Sequence, residues 1–302
     1  MEKPTGHVPV MLDEVIEHLA PRPGQVILDG TAGGGGHAAA VLERILPGGQ
    51  LILLDRDGEA LRRLIARFGR RTDVRYFHAN FCDLDQVLAE TKHDRIDGAL
   101  LDLGLSSLQL ADADRGFSLD RPGDLDMRFD RDQPQTAAEI VNRWSAERLA
   151  ALFRDGGDQP FARRIAEAIV RARQRGPIRR TDELADLVAS VVPAAWRRRQ
   201  KIHPATRVFQ AVRIAVNDEF GSLESFLDKI WRHIKPGGRV VTVAFHSGED
   251  RIVKTRFREA ARQGLVRLPT VKPITPTARE VEANPRARSA RLRVAERLGA
   301  TG

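Results

Sequence analysis

Short apolar runs alternate with amphipathic helical stripes along the first hundred residues. Four runs, at residues 25–29, 51–55, 74–78 and 96–103, have the length of a strand and little polar alternation. Between them apolar residues recur at helical spacing, as at Leu61, Leu64, Ile65 and Phe68. Strands without polar alternation are typical of a sheet covered on both faces. The pattern therefore predicts an α/β fold with a mostly parallel sheet.

This alternation stops after the fourth run. Residues 109–132 read as a loop, and Thr136 with Glu139 forms a capping-box pattern that opens a helix. Three further helices are predicted at 145–154, 161–174 and 181–192, with no strand between them. The α/β rhythm returns with a helical stripe at 223–234, a strand at 239–245, a helix at 249–261 and an edge strand at 291–296. We therefore predict an α/β domain formed by 1–109 and 206–302, and an inserted all-helical subdomain at 110–205.

The excess of basic over acidic residues is concentrated at residues 150–215, which overlap the second half of the predicted insertion. Lys and Arg number 49 against 41 Asp and Glu, which gives a net charge of +8. Residues 150–215 contain 14 Lys or Arg and 6 Asp or Glu, and so account for the whole excess. A surplus of this kind favours a polyanionic partner, although a solvated helical surface is an open alternative. The candidate phosphate contacts are Arg163, Arg164, Arg197, Arg198, Arg199 and Lys201.

Cys82 is the single cysteine of the chain. An intramolecular disulfide and a cysteine-based metal cluster are therefore excluded, and the usage fits a reducing cytoplasm. The N-terminal residues lack the apolar core of a signal peptide, and no apolar run approaches the roughly 18 residues of a membrane-spanning helix. The sequence thus predicts a cytoplasmic chain without a membrane partner.

A glycine cluster follows the first predicted strand. Asp29 ends that strand, and Gly33, Gly35 and Gly36 lie in the run that leads into the next helix. Glycines at this place let the backbone approach a nucleotide-like ligand. Asp55 ends the second strand, where an acid accepts hydrogen bonds from ribose hydroxyls. Dinucleotides and S-adenosylmethionine both use such an acid, and helix capping by the two aspartates is a further alternative.

Polar residues also follow the fourth and fifth strands. Asp102 and Ser106 come after the fourth strand, and His246 opens a polar cluster after the fifth. Polar groups at neighbouring strand ends are typical of an active site, so these three are the candidate catalytic residues. Covalent methylation of a pyrimidine carbon needs a cysteine, and Cys82 lies after the third strand instead. A nitrogen or oxygen acceptor remains, with Asp102 or a backbone carbonyl beside it accepting the hydrogen bond of an amine, and no metal is required.

Motifs along nearly the whole chain resemble one family, the bacterial N4-cytosine methyltransferases of small-subunit ribosomal RNA called methyltransferase H. The matching segments are residues 7–11 (HVPVM), 29–37 (DGTAGGGGH), 102–107 (DLGLSS), 115–118 (RGFS), 125–128 (LDMR), 161–165 (FARRI), 203–213 (HPATRVFQAVR), 245–254 (FHSGEDRIVK) and 284–289 (NPRARS). Three positions depart from the family pattern: Leu108 replaces Pro, Gly248 replaces Leu and Ala79 replaces Gly.

The resemblance implies a Rossmann-like class I methyltransferase that uses S-adenosylmethionine on a cytidine in the decoding region of 16S ribosomal RNA, within the small subunit. It implies cofactor contacts at Gly35, Gly36, His37, Asp55, Phe81, Asp102 and Gln109. Three other functions remain open: a methyltransferase of protein or small molecules, a nucleotide-dependent oxidoreductase, and a non-catalytic RNA-binding factor. The sequence leaves the oligomeric state open, with a homodimer as one alternative.

Overall fold

The computed structural model describes residues 9–200 and 202–299. The chain forms two compact units. The first consists of the chain up to Gly104 together with the chain from Phe220 onward, and the second is Leu105–Glu219. The second unit begins earlier and ends later than the predicted 110–205 segment, because the helix Thr206–Asn217 buries its apolar face in the core of that unit.

The first unit is built on one seven-stranded sheet. Its strands are β1 (Val26–Asp29), β2 (Gln50–Asp55), β3 (Val74–His78), β4 (Ile96–Asp102), β5 (Ile234–Ala244), β6 (Val266–Arg267) and β7 (Arg291–Arg297). The spatial order is β3-β2-β1-β4-β5-β7-β6. Strands β1 to β5 are parallel, whereas β7 is antiparallel to both β5 and β6. The predicted Rossmann-like α/β class is therefore confirmed.

Successive residues of the parallel strands enter two separate cores. On β1, Ile27 packs into one core while Val26 and Leu28 pack into the other. The helices of this unit are α1 (Leu12–Leu19), α2 (Gly36–Ile45), α3 (Gly58–Phe68), α4 (Leu84–Thr91), α12 (Glu219–His233), α13 (Ser247–Arg262) and α14 (Ala278–Ala283). The first core includes residues of α1, α2 and α3, and the second includes residues of α4, α12 and α13. Both faces of the sheet are thus covered, as the unalternating apolar runs indicate.

The second unit contains seven helices among its described residues. They are α5 (Ser107–Ala111), α6 (Ala137–Arg143), α7 (Ala146–Asp155), α8 (Ala162–Arg173), α9 (Thr181–Val191), α10 (Ala194–Arg197) and α11 (Thr206–Asn217). The predicted capping box is present, because Thr136 Oγ1 accepts from the Glu139 N–H and the Glu139 side chain accepts from the Thr136 N–H. A single apolar core joins α6, α7, α8, α9 and α11.

The last predicted strand needs a correction. Residues 291–296 are placed by the sequence at an edge, yet β7 pairs with β5 on one side and with the two-residue β6 on the other. The burial along β7 explains the difference, because Val294 and Ala295 are buried on opposite faces. Within the described ranges, no helix combines the length and apolar character that a membrane span requires.

Parallel β1 and β4 are neighbours, although they are far apart in sequence. The chain leaves β1 toward β2 and β3 on one side, and β4 continues toward β5 on the other. Such a reversal of strand order opens a crevice at the carboxyl ends of the two strands, where ligands of this fold class bind. The carboxyl ends of β1, β2, β4 and β5 are Asp29, Asp55, Asp102 and Ala244.

Candidate active site

The loop between β1 and α2 approaches the end of β2 closely. The Gly33 N–H donates to Asp55 Oδ2 over 2.7 Å, and Gly33 and Gly35 both have positive φ. A Cβ at Gly35 would lie 2.6 Å from Leu64 Cδ2, so a side chain has no room there. The glycine cluster is therefore required by backbone conformation and by packing against α3.

Asp55 is held by backbone donors on both of its oxygens. Oδ2 accepts from Gly33 and Oδ1 accepts from the Asp57 N–H over 2.8 Å. Each carboxylate oxygen has two lone-pair sites, which leaves each one free to accept a further hydrogen bond. Burial raises the pKa of Asp55 to about 6. These contacts fix the carboxyl group at the position where ribose hydroxyls are held in this fold class.

Asp29 lies on the same edge and is almost completely buried. Its Oδ1 accepts from the Thr31 N–H over 3.1 Å. Burial is the largest effect on this group and raises the pKa of Asp29 to about 6, while nearby His37 opposes the rise. A buried carboxyl of this kind is suited to an ammonium group, which would supply the missing opposite charge.

Asp102, at the end of β4, has the most perturbed carboxyl at this edge. Its Oδ1 is buried and has no hydrogen-bond partner among the described residues, while its Oδ2 lies 3.6 Å from His37 Nδ1. Burial raises the pKa of Asp102 to about 7. A backbone hydrogen bond from the Gly104 N–H opposes this rise, and the charge of Glu249 adds to it. The backbone N–H of Asp102 donates to Thr31 Oγ1, which ties β4 to the glycine loop. Buried polar atoms nearly always have a hydrogen-bond partner, so this oxygen is an exception that needs an explanation.

His37 lies between the loop and β4. Its Nε2 is 3.0 Å from the Val10 carbonyl oxygen, and the residue is 6% exposed. A carbonyl only accepts, so Nε2 carries the proton and Nδ1 is left as an acceptor in the neutral ring. Burial lowers the pKa of His37 and favours that neutral form. The side chain therefore has a defined structural role beside Asp102.

His246 precedes α13 and caps it. Its Nδ1 accepts from the Glu249 N–H, and its Nε2 lies 3.1 Å from Glu249 Oε1. Glu249 is 2% exposed, and its Oε2 accepts from the Phe245 N–H. His246 and Glu249 form a polar cluster at the end of β5, in which Glu249 is buried and His246 is half-buried. The Phe220 ring lies beside His246. A Cβ at Gly248 would be 2.5 Å from Cζ of Phe220, so a side chain at this position would collide with that ring.

Phe81 and Cys82 follow β3 in a short 3-10 turn. Phe81 packs edge-on against Phe226, with ring centroids 5.7 Å apart. The Asn80 side chain accepts from the Cys82 N–H and donates to Ser222 Oγ. Burial raises the pKa of the Cys82 thiol, and Asp83 adds to the rise, so this thiol is a poor nucleophile.

Ser106 and Gln109 belong to the second unit. Ser106 Oγ accepts from the Gln109 N–H, and Gln109 Oε1 accepts from the Ser106 N–H. Together they form a capping box that begins α5. Their predicted roles, catalytic for Ser106 and cofactor-binding for Gln109, stay predictions.

The candidate phosphate contacts are exposed on the second unit. Arg163 pairs with Glu167 on α8, whereas Arg164 has no side-chain partner among the described residues. Arg197, Arg198 and Arg199, at and after α10, are likewise exposed and make no ion pair with the described chain. Lys201 lies outside the described residues.

Sequence reasoning missed Thr31. Its hydroxyl joins the loop to the Asp102 backbone, and its N–H holds Asp29. The only sequence signal is its place directly after the Asp29–Gly30 turn. Its contact with β4 spans 71 positions of the chain, which no local pattern reveals.

Comparison with known proteins identifies the family. The model of the MraW methylase family matches residues 4–298. The chain belongs to the MraW methylase family. This methyltransferase is 49% identical to "Ribosomal RNA small subunit methyltransferase H" of Nitratidesulfovibrio vulgaris strain Miyazaki F, with 97% of this chain and 86% of that protein covered. It is 48% identical to the protein of the same name from Geobacter sulfurreducens, with 97% and 99% covered.

Among solved structures, a Streptococcus mutans protein described as a putative methyltransferase in complex with SAH aligns over 99% of both chains. That alignment has a TM-score of 0.45 and 10% sequence identity.

Proposed function

We propose that this methyltransferase transfers a methyl group from S-adenosylmethionine to the exocyclic N4 amine of a cytidine in the decoding region of 16S ribosomal RNA. The proposal is supported by full-length relatives named for small-subunit ribosomal RNA. The observation that carries the choice of a proton-bearing acceptor, such as an amine, is the partnerless, buried Oδ1 of Asp102 at the end of β4. An amine N–H is a donor that this oxygen lacks among the described residues.

The residues at the strand ends fit S-adenosylmethionine. Asp55 keeps free lone pairs for ribose hydroxyls, Asp29 is a buried acid suited to the ammonium group, and Gly35 closes the loop without a side chain. When bound, the cofactor supplies a methyl group on a sulfonium, and the carbon–sulfur electron pair stays on sulfur as the methyl group leaves. Phe81 borders the position expected for the adenine ring, and Gly36 and His37 complete the loop.

An exocyclic cytosine amine is a weak nucleophile, because its lone pair is delocalised into the ring. A positioned hydrogen-bond acceptor aligns the nitrogen and withdraws its proton. Asp102 has the location and the raised proton affinity for both tasks. The His246–Glu249 cluster at the neighbouring strand end offers further polar contacts to the base, and no step of this scheme requires a metal ion.

RNA binding is assigned in this proposal to the helical unit. Arg164, Arg197, Arg198 and Arg199 are exposed there without acidic partners among the described residues, and Arg163 and Lys201 extend the same basic segment. Phosphate contacts of this type hold folded RNA in place but do not read its sequence. The target base would have to leave its stack to reach a buried carboxylate.

The test is a methyl-transfer assay. Radiolabelled S-adenosylmethionine is mixed with small ribosomal subunits that lack the modification, and the RNA is digested to nucleosides. Label in N4-methylcytidine supports cofactor, acceptor atom and substrate together. Label in another nucleoside would change the assigned acceptor atom and leave the assigned cofactor and RNA substrate in place. Absence of label in RNA despite cofactor binding would contradict the proposal and favour a protein or small-molecule acceptor.

A further inference from the structure

His37 and Asp102 form a buried pair whose geometry goes beyond cofactor binding. The His37 ring is held at Nε2 by the Val10 carbonyl oxygen, and its Nδ1 faces Asp102 Oδ2 at 3.6 Å. From these contacts we infer that His37 is a positioning residue: it presents an unprotonated Nδ1 to Asp102 and so raises the affinity of that carboxyl group for the proton released by the substrate amine. This inference rests on the proposed function.

The tautomer of His37 follows from hydrogen-bond chemistry. The Val10 carbonyl oxygen accepts only, so the neutral ring must keep its single proton on Nε2. Nδ1 then carries a lone pair toward Asp102. The Val10 carbonyl oxygen thus determines that Asp102 faces an unprotonated nitrogen of His37.

The distance of 3.6 Å between His37 Nδ1 and Asp102 Oδ2 agrees with this tautomer. It exceeds the usual length of an N···O hydrogen bond, which is about 2.7–3.2 Å. Two lone pairs facing each other repel, which keeps an ionised Asp102 and a neutral His37 apart. Once Asp102 carries a proton on Oδ2, the same two atoms become donor and acceptor. The contact therefore favours the protonated carboxyl over the ionised one.

Charged neighbours act in the same direction but through a different mechanism. Asp29 on β1 and Glu249 on α13 are the acidic groups near the pair, and Glu249 raises the proton affinity of Asp102 by its charge. Thr31 is uncharged, and its hydroxyl accepts from the backbone N–H of Asp102 and not from the carboxyl group. Among these neighbours, only His37 offers Asp102 a hydrogen-bond acceptor, Nδ1, that is kept unprotonated by a second contact, the one between His37 Nε2 and the Val10 carbonyl oxygen.

The proton balance of the reaction assigns a use to this arrangement. The amine nitrogen gains a bond to carbon and must lose one N–H proton. The carboxylate of Asp102, whose side chain is 17% exposed, takes that proton. Rotation of the protonated carboxyl brings the proton to the side of His37 Nδ1, where it is held until product leaves.

The test compares His37→Gln with a matched control. The Gln amide Nε2 keeps a donor for the Val10 carbonyl oxygen, whereas its acceptor oxygen is bonded to Cδ, one carbon further along the side chain than Nδ1 of His37. His93→Gln is the control, because His93 Nε2 also contacts a neutral amide oxygen, that of Gln50. Gln50 is the first residue of β2, at the opposite end of that strand from the carboxyl ends where the site lies. The Asp102 carboxyl is followed by carbon-13 NMR across a pH titration, with its signal assigned by Asp102→Asn.

We expect the titration midpoint of Asp102 to fall by about one pH unit in His37→Gln, as for the loss of one hydrogen bond to the neutral form, and to stay unchanged in His93→Gln. The pH–rate profile of single-turnover methyl transfer should shift to lower pH by the same amount, with a slower plateau. An unchanged midpoint in folded His37→Gln would overturn the inference.

A second measurement needs no variant to fold. Nitrogen-15 spectra of ring-labelled wild-type histidines report which nitrogen of His37 is protonated. The Nε2–H tautomer near neutral pH supports the inference, whereas an Nδ1–H tautomer or a charged ring would overturn it. Failure of the proposed function is separable, because wild-type protein that methylates no RNA still gives the carboxyl and imidazole titrations.

Discussion

At the scale of single residues, Asp102 has one carboxylate oxygen toward His37 and the other without a partner among the described residues. Burial raises its pKa to about 7. A general base works only when ionised, so we expect the single-turnover rate to rise about tenfold per pH unit below pH 7 and to level off above it. A rate independent of pH across this range would contradict the role of Asp102 as proton acceptor.

Replacement of the same group tests the role directly. Asp102→Asn keeps the shape of the side chain but cannot accept the proton, and we expect turnover to fall by about 10²–10⁴-fold. The fold should persist, because a neutral amide is easier to bury than an ionised carboxylate. Single-turnover methyl transfer and thermal unfolding measure the two properties. The control is Asp94→Asn, an exposed carboxyl before β4, which should behave as wild type.

Substitution of Gly35 tests whether the loop between β1 and α2 can accommodate a side chain. Gly35→Ala adds a methyl group 2.6 Å from Leu64 Cδ2 at a positive φ, whereas Gly24→Ala has the same kind of φ and no atom within 4 Å. Gly24→Ala should cost about 1 kcal/mol of unfolding free energy from backbone strain alone. Gly35→Ala should cost more and weaken S-adenosylmethionine binding, measured by calorimetry. Equal effects of the two substitutions would show that the loop tolerates a side chain.

At the scale of elements, α13 is anchored to β7 by a buried ion pair. Asp250 is 6% exposed, and its two carboxylate oxygens accept from Arg293 and Arg291. Burial alone would raise the pKa of Asp250, but the hydrogen bonds from the two arginines outweigh it and lower the pKa. The pair therefore stabilises the fold above the ordinary pKa of an aspartate, and this stabilisation is lost as the pH falls through the lowered value.

Asp250→Asn should reduce the unfolding free energy by about 3 kcal/mol at neutral pH, because it leaves the nearly buried Arg293 without its counter-charge. Asp85→Asn is the matched control: Asp85 also pairs with an arginine, Arg232, and contacts Lys229 and His233, but its side chain is 45% exposed, so the loss should be about 1 kcal/mol or less. Urea unfolding compares the two variants. A loss at Asp250 no larger than at Asp85 would mean that the ion pair does not anchor α13.

At the scale of the whole molecule, the excess of basic over acidic residues lies at residues 150–215, within the helical unit. We expect replacement of Arg197, Arg198 and Arg199 by Ala to weaken RNA binding and to reduce the slope of log affinity against log salt by about 0.7 to 0.9 for each phosphate that is no longer neutralised. The charge-matched control replaces three exposed arginines of the first unit, Arg62, Arg70 and Arg75. Filter binding at several salt concentrations measures both. If the control lowers the slope as much, the basic surface of the helical unit does not bind the RNA.

The pattern of apolar residues predicts the parallel strands well. β3 has its predicted bounds, and β1, β2 and β4 differ by one residue at an end. The predicted strand at 239–245 needs a correction, because β5 begins five residues earlier, at Ile234, and ends at Ala244. Long, fully buried strands leave an unbroken apolar run that neighbouring loops do not imitate. The sequence pattern did not identify α4, α5, α10, α11 and α14. Most of α11 lies in the segment 203–213, which was interpreted as a functional motif. Strand β6 has two residues and leaves no pattern of its own.

The sequence by itself determined the fold class, the family and the carboxylates at the strand ends, because each is encoded by local runs and contiguous motifs. The tertiary structure alone decided that β7 is an interior strand, that Val10 fixes the tautomer of His37, and that Asp102 Oδ1 is left without a partner among the described residues. Hydrogen-bond satisfaction and burial depend on which distant segments meet. Neither property can be read from neighbours along the chain.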